Sequence, residues 1–175
     1  MSETVVTMST DRGHINLRGD PQNTAFIAAA KRVLGQALPI EANTISLGDH
    51  RIYWLGPDEW LVVTAADTVS DLVDRLQHAL AKLHAAVNDV SGGQVALRLS
   101  GTSVRDVLAK GCTLDLHPQV FRIGTCAQSG LAKANVILGP GGDTNTFEIV
   151  ARRSFADYLV RWLQLAGGDS GIEFH

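Results

Sequence analysis

The chain has 175 residues, 45% of them apolar and 19% charged, with a formal net charge of −3; this is enough apolar material for a packed core and excludes a disordered chain. No basic run or face is present, so the electrostatic footprint of a nucleic-acid binder is missing. Apolar stretches are interrupted every few positions and fall short of the ~20 residues that cross a bilayer, and Cys112 and Cys126 fit neither a disulfide framework nor a zinc spacing.

Met1-Ser2-Glu3-Thr4 carries neither a basic nor an apolar leader, so the expected compartment is the cytoplasm. Residues 1–12 are small and polar and read as a flexible tail. From His14 to Arg18, Ile15 and Leu17 alternate with polar residues, the period of a half-buried strand. Asp20 and Pro21 suit the start of a helix, Phe26, Ile27, Ala30, Val33 and Leu34 form its stripe, and Gly35 stops it. Ile45 and Leu47 mark a strand, Gly48-Asp49-His50 a turn, and Arg51 to Leu55 and Trp60 to Thr64 two further strands. Those last two are apolar on both faces and so call for cover on both sides. Beyond Asp67, read as an N-cap, Val69, Leu72, Val73, Leu76, Leu80 and Leu83 recur at helical spacing, and Ala86 to Val90 closes the set as a strand.

The same order then repeats. Val95 to Ser100 is a strand, Ser103 to Ala109 a helix, Cys126 to Leu138 a strand, Gly139 to Thr144 a hairpin, Thr146 to Ala151 a strand and Ser154 to Ala166 a helix. Ser154 and Asp157 resemble a capping box, and Ile172 to Phe174 reads as an edge strand. Gly19 and Gly101 lie 82 positions apart, Leu55-Gly56-Pro57 and Leu138-Gly139-Pro140 lie 83 apart, and Leu76 and Leu163 lie 87 apart. These near-constant offsets indicate an internal duplication. The expected fold class is α+β: a tandem duplication of a ferredoxin-like βαββαβ unit, residues 13–91 and 94–175 of a single domain spanning 13–175, with antiparallel sheets covered by helices on one face.

Few residues carry visible chemistry. Gly139-Pro140-Gly141-Gly142 lies between strands, whereas a phosphate cradle precedes a helix, so it reads as a turn. His78 and His84 stand six apart on one helix and cannot grip one metal; His14, His50, His117 and His175 belong to separate segments. Cys126 with a histidine and Asp89 would form a nucleophile set only if the fold gathered them, and a buried Cys126 is the simpler reading. No catalytic, cofactor-binding or metal-binding residue is assigned. Arg152, Arg153 and Lys133 are candidates for the polar rim of a partner interface, and Trp54, on a two-faced strand, is a candidate for its apolar part.

Several segments together carry a family likeness: Leu55-Gly56-Pro57-Asp58-Glu59-Trp60-Leu61; Asp89-Val90-Ser91 with Leu97-Arg98-Leu99-Ser100-Gly101; Val107-Leu108-Ala109-Lys110-Gly111-Cys112 with Leu114-Asp115-Leu116-His117-Pro118; Gly124-Thr125-Cys126-Ala127-Gln128 with Leu131-Ala132-Lys133; and Arg152-Arg153-Ser154-Phe155-Ala156-Asp157-Tyr158-Leu159. In this order they resemble the gamma subunit of heterotetrameric sarcosine oxidase, over about residues 45–166. That family is related in fold to the folate-binding aminomethyltransferase of the glycine cleavage system.

The resemblance implies a non-catalytic gamma subunit of a flavoenzyme that oxidatively demethylates sarcosine to glycine, with alpha, beta and delta subunits as partners. FAD, FMN, NAD, tetrahydrofolate and zinc then belong to the other chains, and none to this one. Aminomethyltransferases carry Gly-Gly-Ile-x-Asp-Asp where this chain has Gly130-Leu131-Ala132-Lys133-Ala134-Asn135, so the acidic pair is absent. The competing expectation is a stand-alone folate-binding or aminomethyltransferase-like protein; a free-standing interaction module is a third.

Overall fold

The computed structural model describes residues 4–9, 11–168 and 171–175. In chain order the elements are β1 (Thr4–Ser9), β2 (Arg12–Gly19), α1 (Thr24–Leu34), β3 (Ile45–Leu47), β4 (Arg51–Gly56), β5 (Glu59–Ala65), α2 (Val69–Leu80), β6 (Ala85–Asp89), β7 (Gln94–Ser100), α3 (Val104–Ala109), β8 (Ala127–Leu131), β9 (Ala134–Pro140), β10 (Thr146–Arg152), α4 (Ala156–Gly167) and β11 (Ile172–Phe174). They form two compact units: an N-terminal unit, Asp11–Gly92, and a C-terminal unit of Gly93–His175 that also takes in β1.

In the N-terminal unit the sheet runs β3-β4-β5-β2-β6, antiparallel throughout. Alternation on β2 sends Ile15 and Leu17 into one core with Ile52, Trp60, Val62 and Val87, and the stripes of α1 (Phe26, Ala30, Leu34) and α2 (Leu72, Leu76, Leu80) close over that face. Trp60 is the anchor: its ring lies 5.8 Å from that of Phe26, and its indole N–H donates to the Pro39 carbonyl at 2.7 Å. Helix α1 starts later than Asp20 and Pro21 suggest. The Asn23 side chain caps it, accepting from the Ala25 and Phe26 amides, while Asp20 builds the preceding turn by accepting from Gln22. Asp67 is likewise no N-cap, since it lies in a one-turn 3-10 helix before α2; α2 ends at Leu80, and Leu83 packs on the core from the turn beyond.

The second face of this sheet is covered as the two-faced apolar pattern of β4 and β5 calls for. Tyr53, Leu61 and Val63 are as buried as their inward-facing neighbours, so β5 is buried on both faces, while Trp54 on β4 is half-buried.

The C-terminal unit repeats the element order from β7 onward, and the ladders share a register. Ile15 and Leu17 oppose Val62 and Trp60, as Leu97 and Leu99 oppose Ile149 and Phe147. The ladders also correct the Leu-Gly-Pro match: Trp54 opposes Trp60 and Pro140 opposes Phe147, so Pro140 is the counterpart of Trp54 rather than of Pro57. The stretch expected as one strand, Cys126 to Leu138, is a hairpin of β8 and β9 turning at Ala132-Lys133, and β9 runs on through Pro140. Ser154 does not cap α4; it lies in a 3-10 turn, and the N-cap is Phe155, with no side-chain bond.

Residues 4–9 are a strand where a tail was expected; residues 1–3 and 10 of that tail lie outside the described residues. Strand β1 pairs antiparallel with β7 and parallel with β11, giving the order β11-β1-β7-β10-β9-β8. Val6 is fully buried in the core with Leu99 and Phe147. Pairing on both edges and that one buried valine hold a segment half of which is Ser and Thr. The sheet is therefore mixed, its β1–β11 pair being parallel.

Gly19, at the end of β2, is required by packing. A Cβ there would fall 2.3 Å from the ring of Phe26, which is locked against Trp60. Gly19→Ala should cost about 1–3 kcal/mol of stability, whereas Gly92→Ala, which meets nothing within 4 Å, should be near neutral. Denaturant midpoints of the two variants check the contrast.

Candidate functional site

The C-terminal unit gathers three of the four candidate interface residues at one end of its sheet. The β8–β9 turn is fixed from two sides, the Ala132 amide donating to the Gly111 carbonyl at 2.8 Å and the Lys133 amide to the Tyr158 hydroxyl at 3.2 Å. These bonds hold Ala132 at φ +52°, a left-handed conformation that a non-glycine residue seldom adopts. The register pairs Ala151 with Val136 and Arg152 with Gln94, which brings the end of β10 to the same end of the sheet as Lys133. Arg153 follows in the 3-10 turn. Lys133, Arg152 and Arg153 are all exposed.

Beside them lies an open depression of about 440 Å³, lined by Gln94, Gln128, Asn135 and Arg152 with Ile137 and Val150. It occupies the sheet face turned away from α3 and α4, since Val95, Leu97, Val136, Leu138, Ile149 and Ala151 are the residues facing the core. Side-chain amides and a guanidinium there can hydrogen-bond a polar, carboxylate-bearing surface. Trp54 belongs to the other unit, half-buried opposite Trp60 on β4.

The remaining polar residues are tied into the fold. Asp89 accepts from both the amide and the hydroxyl of Ser91, at 2.9 and 2.6 Å, and Ser91 in turn accepts from the His14 amide. The hydroxyl bond first, then the amide bond, lowers the Asp89 pKa below its ordinary value. This is a turn lock rather than the acid of a nucleophile set. Cys112 and Cys126 form no disulfide and are buried in the C-terminal unit. His14 is buried, His50 bonds through Nδ1 to the Thr64 hydroxyl, and His78, His84, His117 and His175 are exposed. Among the described residues no group of three or more His, Cys, Asp or Glu is placed to hold a metal ion, and no helix is long and apolar enough to cross a membrane.

Sequence reasoning passed over two arginines. Arg98 on β7 pairs with Glu148 on β10 at 2.9 Å across a shared register position. Arg105 on α3 lies 4.8 Å above the Phe147 ring and donates to the Leu116 and Thr144 carbonyls, pinning two loops. Only the spacing of Arg98 within an alternating strand hinted at a cross-strand partner.

The fold is shared with an aminomethyltransferase. The glycine cleavage system aminomethyltransferase T from Bartonella henselae superposes with a TM-score of 0.70 at 18% identity, over 98% of this chain and 47% of that one. A narrower likeness is to the heterotetrameric sarcosine oxidase from Corynebacterium sp. U-96 in complex with pyrrole 2-carboxylate, with a TM-score of 0.86 and 30% identity over 93% of this chain and 83% of that one. The sarcosine oxidase subunit gamma of Corynebacterium sp. (strain U-96) is 34% identical over 151 residues, 85% of this chain and 72% of the relative. The model of the sarcosine oxidase gamma subunit family matches residues 18–169. The chain belongs to the sarcosine oxidase gamma subunit family.

Because the folded Asp89 carboxylate titrates below its ordinary 3.8, its contribution to stability is present above that value and is lost as pH falls through the lower folded pKa. Ser91→Ala removes the largest cause of the shift. In the variant the Asp89 titration, followed by NMR, should move up towards the ordinary value, and an unmoved titration would contradict the lock.

Proposed function

We propose that this chain is the non-catalytic gamma subunit of a heterotetrameric sarcosine oxidase, supporting oxidative demethylation of sarcosine to glycine by flavin-bearing partner subunits. The observation that carries this reading is the likeness to the solved heterotetrameric oxidase, which spans most of both chains at a TM-score of 0.86. On this reading the partners are alpha, beta and delta subunits, which hold FAD, FMN, NAD, tetrahydrofolate and zinc, and the assembly is cytoplasmic. A folate-activating role does not fit the residues present. Where the resemblance expects an acidic pair, the Gly130–Asn135 hairpin carries Ala134 and Asn135, so neither position holds a carboxylate.

Lys133, Arg152 and Arg153 form the polar rim of the partner interface, and Trp54 contributes a second, apolar contact. Exposed cations at one end of a sheet, in a chain of net charge −3, select an acidic surface and set association rate more than ultimate affinity. The test co-expresses the chain with its alpha, beta and delta partners. The wild type should co-elute in size exclusion and raise sarcosine-dependent peroxide formation, and the triple change Lys133→Glu, Arg152→Glu, Arg153→Glu should weaken association at least tenfold at low salt. Equal activity without this chain would defeat the assignment; full co-elution of the triple variant would defeat the interface alone.

A further inference from the structure

The two units differ in what lies beside the first strand of each. In the N-terminal unit that neighbour is β6, the last strand, antiparallel to β2 with Val87 opposite Leu17 and Ala86 opposite Arg18. In the C-terminal unit the neighbour of β7 is β1, and the last strand, β11, lies one place further out. The offset of 87 residues that relates α2 to α4 also carries Ala85, the start of β6, onto Ile172, the start of β11. Strand β11 is thus the counterpart of β6, held away from β7 by an inserted strand.

We infer that β1 is a removable strap and that β11 takes its slot on β7 when β1 is withdrawn. Direction permits the exchange. Strand β11 is parallel to β1, and β1 is antiparallel to β7, so β11 already runs antiparallel to β7, as β6 does to β2. Register permits it too. Val6 opposes Phe174 on one side and Leu99 on the other, and Val5 likewise opposes Glu173 and Ser100. Removing β1 therefore leaves Phe174 facing Leu99 and Glu173 facing Ser100, the pairs that Val87–Leu17 and Ala86–Arg18 form in the N-terminal unit. The movement is one lateral strand spacing of about 4.8 Å with no slip along the strand, so no side chain changes face. Phe174 already packs against the core cluster that Val6 fills, and it would close the gap that Val6 leaves.

Strand β1 holds the slot because it is longer, six residues against three, and because Thr4 and Val6 are fully buried. The arrangement makes the first strand the one element of the C-terminal sheet whose loss the same sheet can repair from within. A segment peeled from this slot becomes free to pair elsewhere while the unit stays folded.

Cysteine pairing distinguishes the two states. Residues 100 and 173 are separated by β1 in the full chain, about 9.6 Å apart at two strand spacings, beyond the ~7 Å limit for a disulfide; after the exchange they are direct neighbours. Ser100→Cys with Glu173→Cys is introduced into the full-length chain, into a variant beginning at Asp11, and into a full-length Val6→Asp variant that evicts β1 by burying a charge. Each single-cysteine form controls for the native thiols. Under mild oxidation the crosslink should form in most of the truncated and Val6→Asp chains and in less than a tenth of the full-length chain. Equal crosslinking in all three would overturn the inference, as would folded variants without the crosslink. Unfolding of both variants would overturn it too, because the exchange requires β11 to complete the sheet.

Discussion

Each unit depends on the antiparallel pairing of its two central strands around one large aromatic residue. In the N-terminal unit Trp60 stands opposite Leu17, and in the C-terminal unit Phe147 stands opposite Leu99. All four side chains are fully buried. Such cross-strand aromatic–aliphatic pairs stabilise a sheet locally, but their larger effect is on register. With one face committed to the core, a slip of one residue would turn every inward side chain outward, so the aromatic pair fixes where each neighbouring strand and helix can sit.

The environment of each aromatic residue explains features that look unrelated. Gly19 ends β2 without a side chain because Phe26 must reach past it to Trp60. In the C-terminal unit Phe121 stacks on Phe147 at 6.1 Å, and Arg105 lies over the same ring. The irregular stretch between α3 and β8 is therefore folded down onto the aromatic anchor by one ring and one guanidinium. Within it the Arg105 guanidinium bonds the Leu116 carbonyl and the Val120 and Phe121 amides bond the His117 carbonyl, which supplies partners for backbone groups outside any ladder.

Much of this was legible in the sequence because it is periodic. Ile15, Leu17, Leu97 and Leu99 show the strand period, and the α2 stripe shows the helical one. What was not legible depends on distant partners. Strand β1 is short and rich in Ser and Thr, and it is a strand because β7 and β11, some ninety and more residues away, flank it. The turn at Ala132-Lys133 has no turn-forming residue and exists because Gly111 and Tyr158 hold it. Asp20-Pro21 is as good a helix start as Asn23, and local sequence cannot say that the chain spends a turn on Asp20 first. The repeated Leu-Gly-Pro misled by three positions, because tripeptide likeness is cheap and ladder register is not. At the candidate site, the cations were visible as residue types on turns. Their meeting at one sheet end was not, because it follows from the β9–β10 register.

That meeting gains weight from where the other polar groups go. Glu148 holds Arg98, Glu59 accepts from Asn16, Asp58 pairs with Arg18, and Asp143 organises its own turn through Asn145 and Thr146. The Gln77 amide donates to the Val87 carbonyl and so covers part of the outer edge of β6. Each of these groups satisfies a neighbour in its own unit, and each fixes a strand or turn. Lys133 and Arg152 instead extend their side chains from a turn and a strand end that backbone bonds and ladder pairing already hold in place. The ordering cost of the main chain beneath them is met before any partner arrives, and only the long side chains remain to be fixed on contact. Under the proposed interface, cations held in that way favour association with a preformed acidic surface.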